Sequence, residues 1–148
     1  MAKQDFTPLF AAGFHDMDWP GLVASCLTPF PTSMARHTLC TQLADFMSEL
    51  RSMGLTGKLW IDGSFVTAKP DPGDVDLLFV PDPDCEDAIA AHLTEIDALF
   101  MLHGAKKRYN CHAFIADASS TDALAYWRGL FGFCHDNVTP KGLLVLSL

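Results

Sequence analysis

The sequence predicts an α/β fold (α+β), a single small domain with a mixed β-sheet flanked by helices. Short apolar runs bounded by Gly, Pro or Asp alternate along the chain with longer segments in which apolar residues recur every three or four positions. Such alternation is typical of strands and helices that pack in layers. Of the 148 residues, 49% are hydrophobic and 19% are charged, the balance of an ordinary globular domain. A chain of this length can bury a core without disulfides.

Residues 1–31 are expected to form an irregular arm that packs on the domain of residues 32–148. The arm contains residues that interrupt regular elements, namely Pro8, Gly13, Pro20, Gly21, Pro29 and Pro31. Only a short turn of helix is therefore expected in it, around residues 21–27. Its aromatic side chains offer apolar surface either to the domain or to a partner, and packing within the chain needs no second molecule.

A first helix is predicted from Thr32 or Ser33, either of which can cap it, to about Met53, with Gly54 ending it. Arg36 lies in its first turns, where a positive charge opposes the helix dipole. A surface arginine is the simplest interpretation of Arg36, and a ligand or ion-pair role is the alternative.

Four strands and two further helices follow. The predicted strands are apolar runs between turn residues: Lys58–Asp62, Val75–Val80, Arg108–Ile115 and Leu143–Leu148. The predicted helices have one apolar face and a capping residue: Asp84 to about His103, closed by Gly104, and Ser120 or Thr121 to Phe131, closed by Gly132. The simplest interpretation of the basic run at residues 106–108 is a solvated turn, and a small contact with a phosphate or a partner is the alternative.

Charge and cysteine content exclude several classes of function. A formal net charge of −8 argues against an extensive nucleic-acid-binding surface, which needs Lys and Arg. No apolar run is long enough to span a bilayer, and the first residues lack a signal-peptide pattern, so we expect a cytoplasmic protein without membrane contact. The five cysteines suit reduced thiols in a core. A zinc site from Cys111–His112 and Cys134–His135 is the alternative, with an unusual ligand spacing.

Two carboxylates open the second predicted strand. Side chains alternate along a strand, so Asp74 and Asp76 project from one face while Val75, Leu77 and Phe79 project from the other. Such a pair is costly to desolvate without a positive partner, and a hard cation such as Mg²⁺ meets that need. The alternative is a solvated loop end.

A Gly-Ser turn ends the preceding strand. Gly63 has no side chain to keep a ligand from the backbone, and Ser64 offers a hydroxyl and an N–H to a phosphate oxygen. Lys69, in the loop that follows, could neutralise a triphosphate, although a loop lysine is usually solvated. Together with the two aspartates, these residues predict adjacent binding sites for a phosphate and a metal ion.

The order of these motifs resembles the signature of the nucleotidyltransferase superfamily: an apolar residue, Gly-Ser, a spacer of about ten residues, and Asp-apolar-Asp. Ile61, Gly63–Ser64 and Asp74–Asp76 carry the resemblance, while Asp62 interrupts the apolar position. Residues 60–63, 65–67 and 140–142 are also similar to a bacterial group with this fold, which bears on the fold rather than on the substrate. In the superfamily, the Gly-Ser turn holds nucleotide phosphates and the carboxylates bind one or two Mg²⁺ ions.

The resemblance implies an enzyme that moves a nucleotide from a nucleoside triphosphate to RNA, protein or a small molecule, in the setting of a toxin-antitoxin or phage-defence pair. The alternative is a catalytically degenerate binding protein or antitoxin-like partner that keeps the fold. In either case the short chain suggests a protein partner or a homo-oligomer.

One expected residue is missing. Superfamily enzymes usually add a third carboxylate from a later strand, and that position falls within residues 109–115, which contain no acid. His112 is nearest to it and could act as a general base, although histidine is a poor Mg²⁺ ligand. Asp117, just beyond the predicted strand, is the alternative if the strand extends.

Overall fold

The computed structural model describes residues 5–148, which form a five-stranded mixed sheet with helices on both faces. The predicted α/β class is confirmed. The strands are β1 (Gly13–Asp16), β2 (Gly57–Asp62), β3 (Val75–Pro81), β4 (Cys111–Ile115) and β5 (Gly142–Ser147). The helices are α1 (Trp19–Cys26), α2 (Met34–Ser52), α3 (Glu86–Ala91), α4 (Leu93–Phe100), α5 (Gly104–Tyr109) and α6 (Thr121–Phe131).

The strand order is β1-β5-β2-β3-β4. The outer pairs β1–β5 and β3–β4 are parallel, whereas β2 is antiparallel to both β3 and β5. Because β5 is inserted between β1 and β2, the last strand in chain order lies inside the sheet rather than at its edge.

The two faces of the sheet carry separate apolar clusters. The closed face packs against α1, α2, α4 and α5, and its strand residues are Leu59, Ile61, Val75, Leu77, Phe79, Cys111, Ala113, Leu144 and Leu146. The open face packs against α6, and its strand residues are Trp60, Leu78, Val80, Leu143 and Val145. Alternation of side chains along each strand separates the two sets.

Serine caps define the two helices that the sequence predicts best. The Ser33 side chain accepts a hydrogen bond from the Arg36 N–H at 3.1 Å at the start of α2, and Ser120 accepts one from the Ala123 N–H at 3.2 Å at the start of α6. Each cap satisfies an N–H group that has no partner within the helix.

The arm is more regular than predicted. β1 pairs with β5 over four residues, and α1 begins at Trp19, where Asp18 caps it by accepting from the Gly21 N–H at 2.9 Å. Pro20 is compatible with this helix because the first helical N–H groups need no partner within the helix. Residues 1–4 of the predicted arm lie outside the described residues.

The prediction for residues 84–115 is wrong in two respects. The expected long helix is divided into a 3-10 turn, α3 and α4, with a break at His92, and Leu93 is 54% exposed instead of facing the sheet. Residues 104–109 form α5, so Gly104 begins a helix instead of closing one, and the basic run is helical. The left-handed backbone of Asn110 (φ 52°) ends α5, and β4 starts only at Cys111.

All five cysteines are buried with free thiols, as predicted. Burial raises the pKa of Cys26 and of Cys111 to about 12, so neither thiol is ionised near neutral pH. Between residues 5 and 148, no helix combines the length and apolar character needed to cross a membrane.

Candidate functional site

Four strands have a terminus on the same side of the sheet. This side, where strands begin or finish, is called the edge below. The end of β2 lies beside the starts of β3 and β5, and the start of β4 follows next. Asp62 is paired in register with Asp76, and Asp76 with His112. Residues paired in this way project from the same face, which here is the open face. The strand order therefore gathers three polar side chains that are far apart in the sequence.

The Gly-Ser turn leads directly out of this edge. Gly63 has φ +83°, and a Cβ atom there would lie 2.5 Å from Asp76 Oδ2. Only glycine combines that backbone conformation with such a close approach. Ser64 then begins a 3-10 turn, Ser64–Val66. The turn is thus shaped around the carboxylate of Asp76.

Both predicted carboxylates contact a basic side chain. Lys106, on α5, places its Nζ 2.6 Å from Asp74 Oδ2. His112 Nδ1 lies 3.3 Å from Asp76 Oδ1. The first contact explains why the basic run of α5 is more than a solvated turn. In both cases the basic partner is partly exposed.

A third carboxylate, Asp62, forms a buried ion pair. Lys141 Nζ lies 3.1 Å from Asp62 Oδ1, and both side chains are 7% exposed. The contact has the distance of an ion pair without hydrogen-bond geometry, so this oxygen has no hydrogen-bond partner among residues 5–148. Burial raises the pKa of Asp62 to about 6, and Lys141 opposes the rise. The Lys141 ammonium group is therefore the charge partner of this buried oxygen, in the lining of the cleft.

These groups share a cleft of about 410 Å³ on the open face. Its polar lining is Asp62, Gly63, Ser64, Asp74, Asp76, His112, His135, Asn137 and Lys141. A second cavity of about 200 Å³ adjoins it and contains Lys69. Ser64, Cys134, His135 and Lys141 line both cavities. Together the two cavities form a groove, with Asp74 and Asp76 in one cavity and Lys69 in the other.

Arg36 fixes the loop that follows the turn. Its side chain is fully buried, which corrects the interpretation as a surface arginine. The guanidinium group donates to the carbonyl oxygens of Phe65, Thr67 and Lys69 at 2.7–2.8 Å, and to that of Cys26 at 2.7 Å. These bonds tie residues 65–69 to the ends of α1 and α2.

The arm also borders the groove. Leu9 N–H donates to the Val66 carbonyl at 3.0 Å, and Ala68 N–H donates to the Thr7 carbonyl at 2.8 Å. Asp5 Oδ1 lies 2.7 Å from His135 Nδ1, and this contact lowers the pKa of Asp5. Two residues of the arm, Asp5 and Phe6, line the Lys69 cavity.

The structure brings together most of the residues that the sequence singles out. Gly63, Ser64, Asp74, Asp76 and His112 line one cleft, and Lys69 lines the adjoining cavity. Asp117 lies at the opposite edge of the sheet, in a cavity with Pro81 and Ile115, so the alternative of a strand extension that brings it into the site is wrong. Across residues 5–148, no group of three or more His, Cys, Asp or Glu side chains is arranged to hold a metal ion.

Asp62 joins the site without having been singled out for it, and Lys106 and Lys141 join it through ion pairs that the sequence does not predict. Asp62 directly precedes Gly63 and stands two residues after Trp60, so strand alternation alone could have placed it on the open face. Lys141 immediately precedes an apolar run, but its position beside β2 depends on the strand order. Sequence pattern gives no signal for that neighbourhood.

A family model described as a family of unknown function (DUF6932) matches residues 3–147. The chain belongs to this family. No curated protein and no solved structure matches the chain. Membership in DUF6932 covers the sheet, the turn and every residue of the cleft, so the site is part of the family domain rather than an addition to it.

Proposed function

We propose that the protein is a magnesium-dependent nucleotidyltransferase that moves a nucleotide from a nucleoside triphosphate to an RNA, protein or small-molecule acceptor. One observation carries the proposal. The Gly63–Ser64 turn and the carboxylates of Asp74 and Asp76 line a single cleft on the same face of the sheet. A turn that can hold phosphate oxygens beside oxygen ligands for a hard cation is the arrangement that phosphoryl-group transfer needs.

The cleft fits Mg²⁺ in two ways. The backbone of Gly63 approaches Asp76 Oδ2 so closely that any side chain would fill the space, and the carboxylates of Asp74 and Asp76 in the cleft lining are the hard oxygen ligands that Mg²⁺ prefers. Mg²⁺ is usually held by one or two carboxylates together with substrate phosphates, so a cage of three protein ligands is not required. Asp74 and Asp76 would hold one or two ions, which would polarise the α-phosphate when bound.

The chain's own residues bind and orient the triphosphate. The Ser64 hydroxyl can donate to a phosphate oxygen, and the ammonium groups of Lys69 and Lys141 line the groove where the outer phosphates would lie. Lys106 shares Asp74 Oδ2 with any ion that binds there. Its exposed position on α5 lets it withdraw to solvent.

His112 is the residue proposed to take the proton. In the transfer, the acceptor hydroxyl oxygen forms a bond to the α-phosphorus, and the bond from that phosphorus to the bridging oxygen of the β-phosphate breaks, releasing pyrophosphate. His112 Nδ1 lies 3.3 Å from Asp76 Oδ1, and in the tautomer that carries its proton on Nδ1, Nε2 is the basic nitrogen of the ring. It can accept the hydroxyl proton, as a general base does.

The test is turnover of labelled nucleoside triphosphates with Mg²⁺ and mixed acceptors. Asp74→Asn and Asp76→Asn should each lower turnover by about 10²–10³-fold, the usual cost of losing one charge-stabilising group. Asp87→Asn, an exposed residue of α3, is the matched control and should leave it unchanged. Circular dichroism checks the fold of each variant. Equal turnover in the wild type and in the Asp74→Asn, Asp76→Asn and Asp87→Asn variants would refute the proposal.

A second candidate function has its own support. Asp62, Asp74 and Asp76 each have a basic side chain within 3.3 Å, and β4 supplies no acid. These features favour a degenerate site in an antitoxin-like or other binding partner that keeps the nucleotide cleft. Binding of the triphosphate without turnover, together with co-purification of a genetically adjacent protein, would favour this candidate. Size-exclusion chromatography would separate a homo-oligomer from a heteromeric complex.

The cellular setting remains part of the proposal. A toxin-antitoxin or phage-defence pair follows from the superfamily resemblance. A cytoplasmic location accords with five buried free thiols, since a reducing compartment preserves them.

A further inference from the structure

The cleft has an apolar wall that the proposed chemistry does not use. The apolar part of its lining consists of Phe114, Leu130, Phe131, Phe133 and Cys134. Leu130 is 51% exposed and Phe133 is 38% exposed, so large apolar side chains face open space. A mostly apolar wall with a few polar groups is typical of small-molecule sites.

Ring contacts fix this wall beside the polar groups. The ring centroid of Phe114 lies 4.6 Å from that of His112 and 4.6 Å from that of Trp127. Trp127 in turn contacts Phe131 at 5.7 Å. Such contacts stabilise offset or edge-to-face arrangements. The wall is therefore continuous from α6 to the site of the predicted chemistry.

A structured loop, residues 133–140, completes the wall. Phe133 pairs with Pro140 as an isolated bridge, and the Asp136 carboxylate accepts hydrogen bonds from the Val138 and Thr139 N–H groups at 2.9 and 2.8 Å. The loop directs Phe133 and Asn137 to the cleft. The Asn137 side-chain amide makes no hydrogen bond with any of residues 5–148 and can serve a ligand.

We infer that the apolar wall and the 133–140 loop form a nucleobase subsite. The base lies against Phe133 and Phe114, and the Asn137 amide pairs with its edge. This inference rests on the proposed function, because a triphosphate along Ser64 and the carboxylates brings the nucleoside to the wall. Aromatic stacking tolerates every base, whereas a side-chain amide offers both donors and an acceptor and can discriminate among base edges.

The experiment compares nucleotides with a ligand that has no base. Isothermal titration calorimetry on the full chain with Mg²⁺ would use the α,β-methylene analogues of ATP, GTP, CTP and UTP, and inorganic triphosphate. At least one nucleotide should bind roughly 5- to 150-fold more tightly than inorganic triphosphate, the range expected for one stacked base. Phe133→Ala should remove this margin without changing the affinity for inorganic triphosphate.

Three further variants sharpen the result. Phe133→Trp should keep the margin, and Asn137→Ala should reduce the differences among the four bases. Tyr126→Ala, an exposed aromatic residue of α6 outside the cleft, is the control and should change nothing. If Phe133→Ala fails to fold, Phe133→Leu keeps apolar contacts while removing the ring, and the same loss is expected.

The outcomes separate the two proposals. Nucleotides that bind no more tightly than inorganic triphosphate would overturn the base subsite and leave the triphosphate site standing. An equal loss for both ligands in Phe133→Ala, or the same loss in Tyr126→Ala, would also overturn it. If neither nucleotides nor inorganic triphosphate bind, the proposed function fails, and the subsite fails with it.

Discussion

The two faces of the sheet differ although the same strands build them. The closed face is covered by four helices and contributes only apolar side chains to the larger core cluster. The open face is covered by α6 alone, and its smaller cluster stops short of the edge where Asp62, Asp76 and His112 project. In β3 the division runs residue by residue, since Leu77 is core and Asp76 lines the cleft.

This difference shows how a small domain can hold charged groups close together. Burial of apolar surface stabilises a fold in proportion to its area, and the closed face supplies most of that area. The open face can then keep polar groups partly solvated at its edge, where desolvation costs less. Stability and the candidate site are thereby assigned to opposite sides of one sheet.

The largest expected effect tests this division directly. Phe79 is fully buried on the closed face. Phe79→Ala should lower the free energy of unfolding by about 3–5 kcal/mol, because it removes a large side chain and leaves a cavity. Leu130→Ala, a half-exposed substitution beside the cleft, should cost no more than about 0.5 kcal/mol. Urea unfolding followed by circular dichroism measures both values, and similar costs would contradict the comparison.

Arg36 connects the closed face with the cleft, since it lies on α2 and its hydrogen bonds hold residues 65–69 beside the cleft. Arg36→Met should cost about 3 kcal/mol, because each buried carbonyl left without a donor costs about 1–3 kcal/mol and part of that is recovered by relaxation. Hydrogen exchange should also quicken at residues 65–69. Arg51→Met, an exposed arginine of the same helix, is the matched control. Unchanged exchange in the loop would show that Arg36 does not fix it.

The smallest expected effect is a pH dependence from the Asp62–Lys141 pair. Burial raises the pKa of Asp62 to about 6 in the folded protein, whereas the ordinary pKa of an aspartate is 3.8. The native state thus binds more protons between these values, so the contribution of Asp62 to stability falls as pH rises from about 4 to about 6. The fall should be at most about 3 kcal/mol.

The measurement for this prediction is urea unfolding at several pH values. Stability should decline less steeply with pH in Asp62→Asn than in the wild type across that window, while Asp87→Asn should follow the wild type. Parallel curves for wild type and Asp62→Asn would show that Asp62 is not buried in the manner described.

Local signals predicted some elements closely and others poorly. Ser33 and Ser120 mark the starts of α2 and α6 because a cap is a local interaction between neighbouring residues. The break at His92 and the left-handed Asn110 have no comparable marker. Only Arg108 and Tyr109 of α5 fall within the predicted strand, and the rest of this helix was predicted as a helix end and a turn because Gly104 and the basic run are typical of both.

The candidate site likewise combines residues that local spacing predicts with residues whose position depends on the strand order. Gly63, Ser64, Asp74 and Asp76 were visible because their roles depend on short spacing within two successive strands. The Asp62–Lys141 ion pair was not visible, because it depends on β5 lying beside β2. The burial of Arg36 was likewise hidden, since its partners are backbone carbonyls that any sequence carries.

The position of β5 has a consequence for biosynthesis. Among the strands of residues 5–148, β1 is made first, whereas β5, the strand with which it pairs, is made after the other four. A nascent chain must keep β1 unpaired until residues 142–147 leave the ribosome, and Lys141 reaches Asp62 only at that moment. Because Lys141 and residues of the 133–140 loop line the cleft, the complete cleft requires that this part of the chain has already been synthesised.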